Sequence, residues 1–167
     1  MPLPHPDLAA VTVGCAVLTV SDTRTPAAID KSGQLLQAKL PAAPHAVVAY
    51  AILPDEPAAV GRQVQTWVAN GSMAVMVLNG GTGIAPRDTT YEAIAALLSK
   101  TLPGFGEIFR QLSYAEIGSR AMASRAIAGV CESTLIFSLP GSSKAVALAM
   151  DKLLLPELVH LTPQLRG

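Results

Sequence analysis

A short apolar run, Met73-Ala-Val-Met-Val-Leu78, ends at once in Asn79-Gly-Gly-Thr-Gly83, with Asp88 five residues further on. An uninterrupted apolar stretch bounded by glycine reads as a strand buried on both faces, and such strands belong to parallel sheets covered by helices. Glycine adopts positive φ freely and lets the backbone come close to a ligand. The N–H groups of Gly80, Gly81, Thr82 and Gly83 can therefore converge on phosphate oxygens. Asp88 sets a carboxylate beside that anion site, which calls for a positive charge between the two. A divalent ion such as Mg²⁺, shared by protein and phosphates, is the usual mediator. The plain alternative is a glycine-rich strand-to-helix turn with Asp88 near the helix start.

The same punctuation recurs along the chain. Thr12 to Val20 is a continuous apolar, β-branched run that ends in Ser21-Asp22-Thr23, a buried strand followed by a loop. Asp30 and Ser32 are cap residues for a helix carrying Leu35, Leu36 and Leu40, which Pro41 and Pro44 close. A second strand spans Ala46 to Leu53. Asp55-Glu56-Pro57 supplies a capping carboxylate and an early proline ahead of Val60, Val64, Trp67 and Val68, which share one helical face until Asn70-Gly71. Beyond the glycine turn, Thr89-Thr90-Tyr91-Glu92 has capping-box spacing before Ile94, Leu97 and Leu98.

From Leu102 to Gly129 the pattern is less regular: Pro103 to Glu107 reads as loop, Ile108 to Leu112 as helix, and Ser119 to Ala128 as a further helix with exposed arginines. Ser133 to Leu139 is a fourth apolar strand, which breaks at Pro140-Gly141-Ser142 and leads into a helix with Val146, Met150, Leu153 and Leu154. Strands alternating with helices predict a single-domain, three-layer α/β/α fold over residues 11–167, built on a mostly parallel, doubly wound sheet, behind a flexible N-terminal tail of residues 1–10. Ligands of such sheets lie outside the carboxyl ends of the strands. Ser21-Asp22-Thr23, Asp55, Gly80 to Gly83 with Asp88, and Gly141 with Ser142 all belong at that edge and together predict one site.

Composition narrows the partners. The 167 residues, half of them apolar, suffice for one well-filled core. Twelve basic and twelve acidic residues cancel, and no basic run interleaves with aromatics, so the counterion release that drives nucleic-acid binding has little to act on. The expected partner is a small molecule. Cys15 and Cys131 lie in or beside apolar runs, too few for a disulfide framework and without CxxC spacing. No Lys or Arg precedes Arg24 and no window forms an uninterrupted membrane span, so the chain reads as cytoplasmic, with no membrane partner.

Other motifs fail on inspection. In Gly81-Thr82-Gly83-Ile84-Ala85-Pro86 a proline stands where a dinucleotide fingerprint needs its third glycine. Gly141-Ser142-Ser143-Lys144 lacks the spacing of a P-loop and reads as a helix N-cap. Ser142 is in no nucleophile elbow. His5, His45 and His160 have no zinc-ligand spacing.

Eight segments, taken in register, carry a resemblance: Thr19-Val-Ser-Asp-Thr-Arg24, Asp30-Lys-Ser-Gly33, Pro54-Asp-Glu56, Gly80-Gly-Thr-Gly83, Arg87-Asp-Thr-Thr90, Gly104-Phe-Gly-Glu107, Ser124-Arg-Ala126 and Leu139-Pro-Gly-Ser142. In order and spacing, along nearly the whole chain, they resemble the MoaB/MogA family of molybdenum cofactor biosynthesis proteins. Ser124 to Ala126 and Pro140 to Ser142 are more similar to the MoaB branch. The resemblance implies a molybdopterin-binding α/β fold assembled as trimers or a hexamer, and Mg²⁺- and ATP-dependent transfer of AMP to molybdopterin. A non-catalytic pterin-binding or carrier protein on the same scaffold is the alternative, and a nucleotide-binding protein unrelated to pterins a third.

By motif, the resemblance implies that Asp55 and Asp88 are the two functional carboxylates, as catalytic groups or Mg²⁺ ligands, and that Gly80 to Gly83 is the phosphate loop. It also implies site roles for Glu107 and Ser113. Adenylyl transfer brings two polyanions together, and Mg²⁺ with fixed N–H dipoles lowers their repulsion. Asp55 reads equally as a metal-site group and as a helix N-cap worth about 1 kcal/mol. Ser142 reads as a phosphate contact or a cap, and Arg87 and Arg125 as anion clamps or solvated charges. With 14% charged residues a small monomer has difficulty covering its surface, and leftover apolar patches mean subunit contacts. Gly104 to Leu112, with Phe105, Ile108, Phe109 and Leu112, is a candidate interface or a cap on the core.

Overall fold

The computed structural model describes residues 11–24 and 29–166; the expected tail, residues 1–10, lies outside them. One six-stranded sheet organises the chain, with strands β1 Gly14–Val20, β2 Ala46–Leu53, β3 Val75–Asn79, β4 Lys100–Thr101, β5 Ile127–Cys131 and β6 Thr134–Leu139. Their order is β2-β1-β3-β6-β5-β4. The four strands from β2 to β6 run parallel, as crossover helices require. At the other edge β5 is antiparallel to β6, and β4 to β5.

Helices α1 Lys31–Ala42, α4 Pro103–Ile117, α5 Ser143–Ala149 and α6 Leu155–Leu161 cover one face, and α2 Pro57–Asn70 and α3 Thr90–Ala95 the other. Alternation along each strand divides the core. Cys15, Val17, Val75, Val77, Leu135 and Phe137 meet Leu36, Leu40, Phe109, Val146 and Leu154, while Ala16, Leu18, Met76, Leu78 and Ile136 meet Val60, Val64, Val68 and Ile94. This is the mostly parallel three-layer α/β/α arrangement that the alternating pattern predicts. None of the helices among the described residues is long and apolar enough to cross a membrane.

Asp30 caps α1 as expected, its carboxylate accepting from the Gly33 N–H at 2.9 Å, whereas Ser32 does not cap, its hydroxyl donating to the Gly141 carbonyl at 2.7 Å, and Pro41 lies inside the helix rather than closing it. Gly71 ends α2 at φ 71°. Asp55 does not cap α2: that position belongs to Glu56, whose side chain makes no capping bond. Nor does the capping box form at α3, because the Thr89 hydroxyl is turned to Asp55.

The irregular segment departs most from expectation. Pro103 to Glu107 is not a loop but the start of the 15-residue α4, with Pro103 in its first turn, where a missing N–H costs nothing. Gly106 is there for contact: a Cβ would lie 3.1 Å from the Ala126 carbonyl. Ser119 to Ala128 is not a helix either. A 3₁₀ turn, Gly118–Ala123, leads into β5, and Glu132 at φ 52° turns the chain directly into β6. Phe105 and Phe109 belong to the core, stacked at 6.0 Å with Phe105 edge-on to Phe137 at 5.3 Å. Of the four apolar residues in the candidate interface, Ile108 is the exposed one, at 49%.

Candidate active site

At the carboxyl ends of β1, β3 and β6 lies a cavity of about 600 Å³. Each strand contributes its following turn. After β1, the Ser21 hydroxyl accepts from the Thr23 and Arg24 N–H groups, both at 3.2 Å, and so closes a tight bend. After β3 come Gly80 at φ 102° and Gly81 at φ 66°, values that L side chains rarely adopt. The Gly80 N–H reaches the Leu139 carbonyl at 3.0 Å, which ties this turn to the one after β6. Any side chain would break the packing, since a Cβ on Gly80 would sit 2.0 Å from the Val20 carbonyl oxygen. Ser142, after β6, caps α5 by accepting from the Ala145 N–H at 3.1 Å, and it lines the cavity as well.

The two carboxylates stand at opposite ends of the glycine turn. A Cβ on Gly81 would lie 2.4 Å from Asp55 Oδ2, and one on Gly83 would lie 2.5 Å from Asp88 Oδ2. Asp55 is 5% exposed and richly bonded. It accepts from the Thr89 N–H at 3.3 Å, the Thr89 hydroxyl at 2.8 Å and the Thr90 hydroxyl at 3.2 Å. It thus anchors the start of α3 from across the site. Asp88 is half-buried, accepts the Ala85 N–H at 3.2 Å through Oδ2, and has no ion-pair partner among the described residues.

Neither expected anion clamp is free to act as one. Arg87 is held by Asp22 at 2.8 and 3.0 Å and by Glu56 at 2.7 Å, and this pairing together with the Asp55 amide holds the Asp22 carboxyl below the usual aspartate range. Arg125 grips the glycine turn from behind. It donates to the Gly83 carbonyl at 2.6 and 3.0 Å and to the Thr82 carbonyl at 3.3 Å, pairs with Glu92, and lies 5.0 Å over the Tyr91 ring. It does not line the main cavity.

Of the residues singled out by sequence, Ser21, Asp22, Asp55, Gly80 to Gly83, Asp88, Ser113, Gly141 and Ser142 all line this one cavity. Glu107 does not: it is exposed on α4, whereas Ser113 on the same helix is buried against the cavity. Sequence reasoning gave no site role to several lining residues, among them Arg24, Arg120 and Ser124. Ser124 carries a buried hydroxyl with no hydrogen-bond partner among the described residues. It also passed over Asn79, fully buried at the end of an apolar strand. A polar residue closing a run of apolar ones was the signal for it.

No group of three or more His, Cys, Asp or Glu side chains able to hold a metal occurs among the described residues. The donors suit a Mg²⁺ ion that takes most of its ligands from phosphates and water, with Asp88 as its carboxylate. Asp55 is already satisfied by threonine donors.

Comparison with known proteins agrees with this architecture. A family model described as "Probable molybdopterin binding domain" matches residues 16–160. Molybdenum cofactor biosynthesis protein B of Bacillus subtilis is 53% identical over 163 residues, covering 97% of this chain and 95% of that protein. A crystal structure of a molybdenum cofactor biosynthesis protein B superposes with a TM-score of 0.91 at 49% identity, covering 95% of this chain and 99% of that one. The tungsten cofactor synthesizing protein MoaB from Pyrococcus furiosus gives 0.84 at 36% identity, over 95% and 100%. The chain belongs to the MoaB/MogA family of molybdenum cofactor biosynthesis proteins.

Proposed function

We propose that this chain acts in molybdenum cofactor biosynthesis by transferring AMP from ATP to molybdopterin. A phosphate oxygen of the pterin attacks the α-phosphorus of ATP, the bond from that phosphorus to the α,β-bridging oxygen breaks, and pyrophosphate leaves. The observation that carries this reading is the glycine turn stretched between two carboxylates at the mouth of one cavity. Family membership adds to it, because molybdopterin is the ligand in the description of the matching domain.

The turn's role follows from its backbone. Arg125 binds the Thr82 and Gly83 carbonyls on the side away from the main cavity, and in a trans peptide the next N–H points opposite its carbonyl. The Gly83 N–H, which follows the Thr82 carbonyl, is thus a fixed dipole for a phosphate oxygen and needs no reorganisation during reaction, while Ile84, which follows Gly83, lies outside this cavity. Mg²⁺ bound through Asp88 and the phosphates would supply charge neutralisation between the two polyanions. Asp55 keeps Thr89 and Thr90 in place and so sets the position from which Asp88 reaches the cavity. Ser142 and Ser113 offer hydroxyls at the opposite wall.

The alternative, a pterin-binding protein without catalysis, is favoured by the single free carboxylate found at the site among the described residues. Incubation with molybdopterin, ATP and Mg²⁺ separates the two. Transfer predicts pyrophosphate released in step with loss of free pterin, whereas a carrier binds the pterin and releases none. We also infer self-association as a trimer or hexamer. Ile108, Tyr114, Ile117 and Met122, all about half or more exposed, supply apolar surface for it, and light scattering at micromolar protein measures the mass.

A further inference from the structure

The cavity holds a cation that the roles above leave unused. Arg24, on the turn after β1, lines the cavity with its side chain 31% exposed. Its head is fixed by acceptors from other strands: Nη2 donates to the Gly141 carbonyl at 2.8 Å and Nη1 to Asn79 Oδ1 at 3.4 Å. Asn79 is itself held, donating to the Thr19 hydroxyl at 2.9 Å. The guanidinium therefore sits where the ends of β1, β3 and β6 meet. Gly141 packs closely against the glycine turn, since a Cβ there would lie 3.3 Å from the Gly80 Cα, and it meets the guanidinium at ordinary contact distance.

The charge on Arg24 is only loosely matched. Its nearest carboxylate, Asp30, is 3.8 Å away and is already shared among the Thr19 hydroxyl at 2.5 Å, the Tyr50 hydroxyl at 2.7 Å and the Gly33 N–H at 2.9 Å. Arginine has five N–H donors in a planar fork; two are used in these bonds. Arg87 and Arg125, by contrast, have their heads engaged by carboxylates, and Arg120 is exposed, with no ion pair among the described residues. A guanidinium that is fixed, cavity-facing and short of acceptors among the described residues suits bidentate binding of a phosphoryl group.

We propose that Arg24 is a substrate-binding residue that takes a phosphoryl group between its remaining N–H donors and the Gly81 end of the glycine turn, the Gly80 N–H being held by the Leu139 carbonyl, with the guanidinium kept in register by Asn79 and the Gly141 carbonyl. The assignment builds on the reading of the cavity as a phosphate-ester site. The group could belong to the pterin or to the nucleotide, and the test separates them. Wild type, Arg24→Gln, Arg24→Lys and Asn79→Ala are titrated calorimetrically with molybdopterin, dephosphorylated molybdopterin, ATP and inorganic pyrophosphate, and thermal melting is followed in parallel. Arg24→Gln should weaken one phosphorylated ligand by tenfold or more and leave the dephosphorylated pterin unaffected. Arg24→Lys should recover part of the loss, and Asn79→Ala should show a smaller one.

A loss confined to molybdopterin assigns the pterin phosphate, and one confined to ATP and pyrophosphate assigns the nucleotide. Equal affinity of wild type and both Arg24 variants for every phosphorylated probe overturns the assignment while leaving the proposed function intact. If wild type binds ATP or pyrophosphate in an Arg24-dependent way but no pterin, the adenylyl-transfer reading fails and the assignment stands. Should Arg24→Gln fail to fold, the Arg24→Lys titration decides by the same criteria. Wild type that binds none of the phosphorylated probes overturns both.

Discussion

The two ends of the glycine turn carry the same side chain and differ in everything around it. At one end Asp55 is buried and surrounded by the donors of Thr89 and Thr90; at the other Asp88 is half-buried, holds one backbone N–H, and faces the cavity with the rest of its charge unmatched. A buried carboxylate with several hydrogen bonds is a structural anchor, and removing its charge leaves donors unsatisfied. A carboxylate with a free oxygen at the edge of an anion site can take a metal. On the proposed function, identical residues around one turn divide into support and chemistry, and the division is set by threonine hydroxyls rather than by the aspartates.

The comparison breaks most visibly if the turn itself is filled. Gly81→Val would place Cβ 2.1 Å from the Thr90 hydroxyl and 2.4 Å from Asp55, at a positive φ. It should cost at least about 2 kcal/mol in denaturant unfolding and abolish pterin binding; undiminished affinity in a titration would put the phosphate elsewhere. Asp88→Asn should lower pyrophosphate release about 10²-fold with the melting curve and pterin affinity nearly unchanged. Asp55→Asn should invert that pattern, with a loss of about 1–3 kcal/mol in stability and a smaller fall in turnover that follows the loosened turn.

The smallest effect is expected at the rim. Arg87 holds the exposed Asp22 carboxyl below its ordinary range, so the pairing contributes above the unfolded aspartate pKa and is lost as the pH falls through the lower folded value. In Arg87→Gln the Asp22 midpoint, followed by carboxyl carbon chemical shift, should rise toward the ordinary aspartate range, with the Asp55 N–H still holding it somewhat below. An unchanged midpoint would show that Arg87 is not what lowers it.

How much of this was legible in the sequence depended on how local the cause was. Strand β2 starts and ends where its apolar run does, Val60, Val64 and Val68 are buried at their helical spacing, and Gly81 takes the positive φ its turn demanded. Within residues 102–129 the causes are distant. Gly106 made a helix look like a loop, yet it answers to the Ala126 carbonyl, and Gly129 in β5 answers to Lys100, with 2.3 Å to the carbonyl oxygen from a Cβ there. Neither contact leaves a periodic trace. The site divides in the same way. Its glycines and aspartates could be named in advance, but the role of Asp55 depends on threonines 34 and 35 residues away. Arg24 is set by acceptors 55 and 117 residues away, and Glu107, named through resemblance alone, lies outside the cavity.

The division between the two carboxylates is tested most directly by pyrophosphate release measured across a Mg²⁺ series for wild type, Asp55→Asn and Asp88→Asn with saturating molybdopterin and ATP. We expect Asp88→Asn to need roughly tenfold or more Mg²⁺ for half-maximal release, a displacement of about 1.4 kcal/mol, while Asp55→Asn lowers the maximum and keeps the wild-type half-saturation point. A Mg²⁺ requirement displaced by Asp55→Asn and untouched by Asp88→Asn would contradict the account.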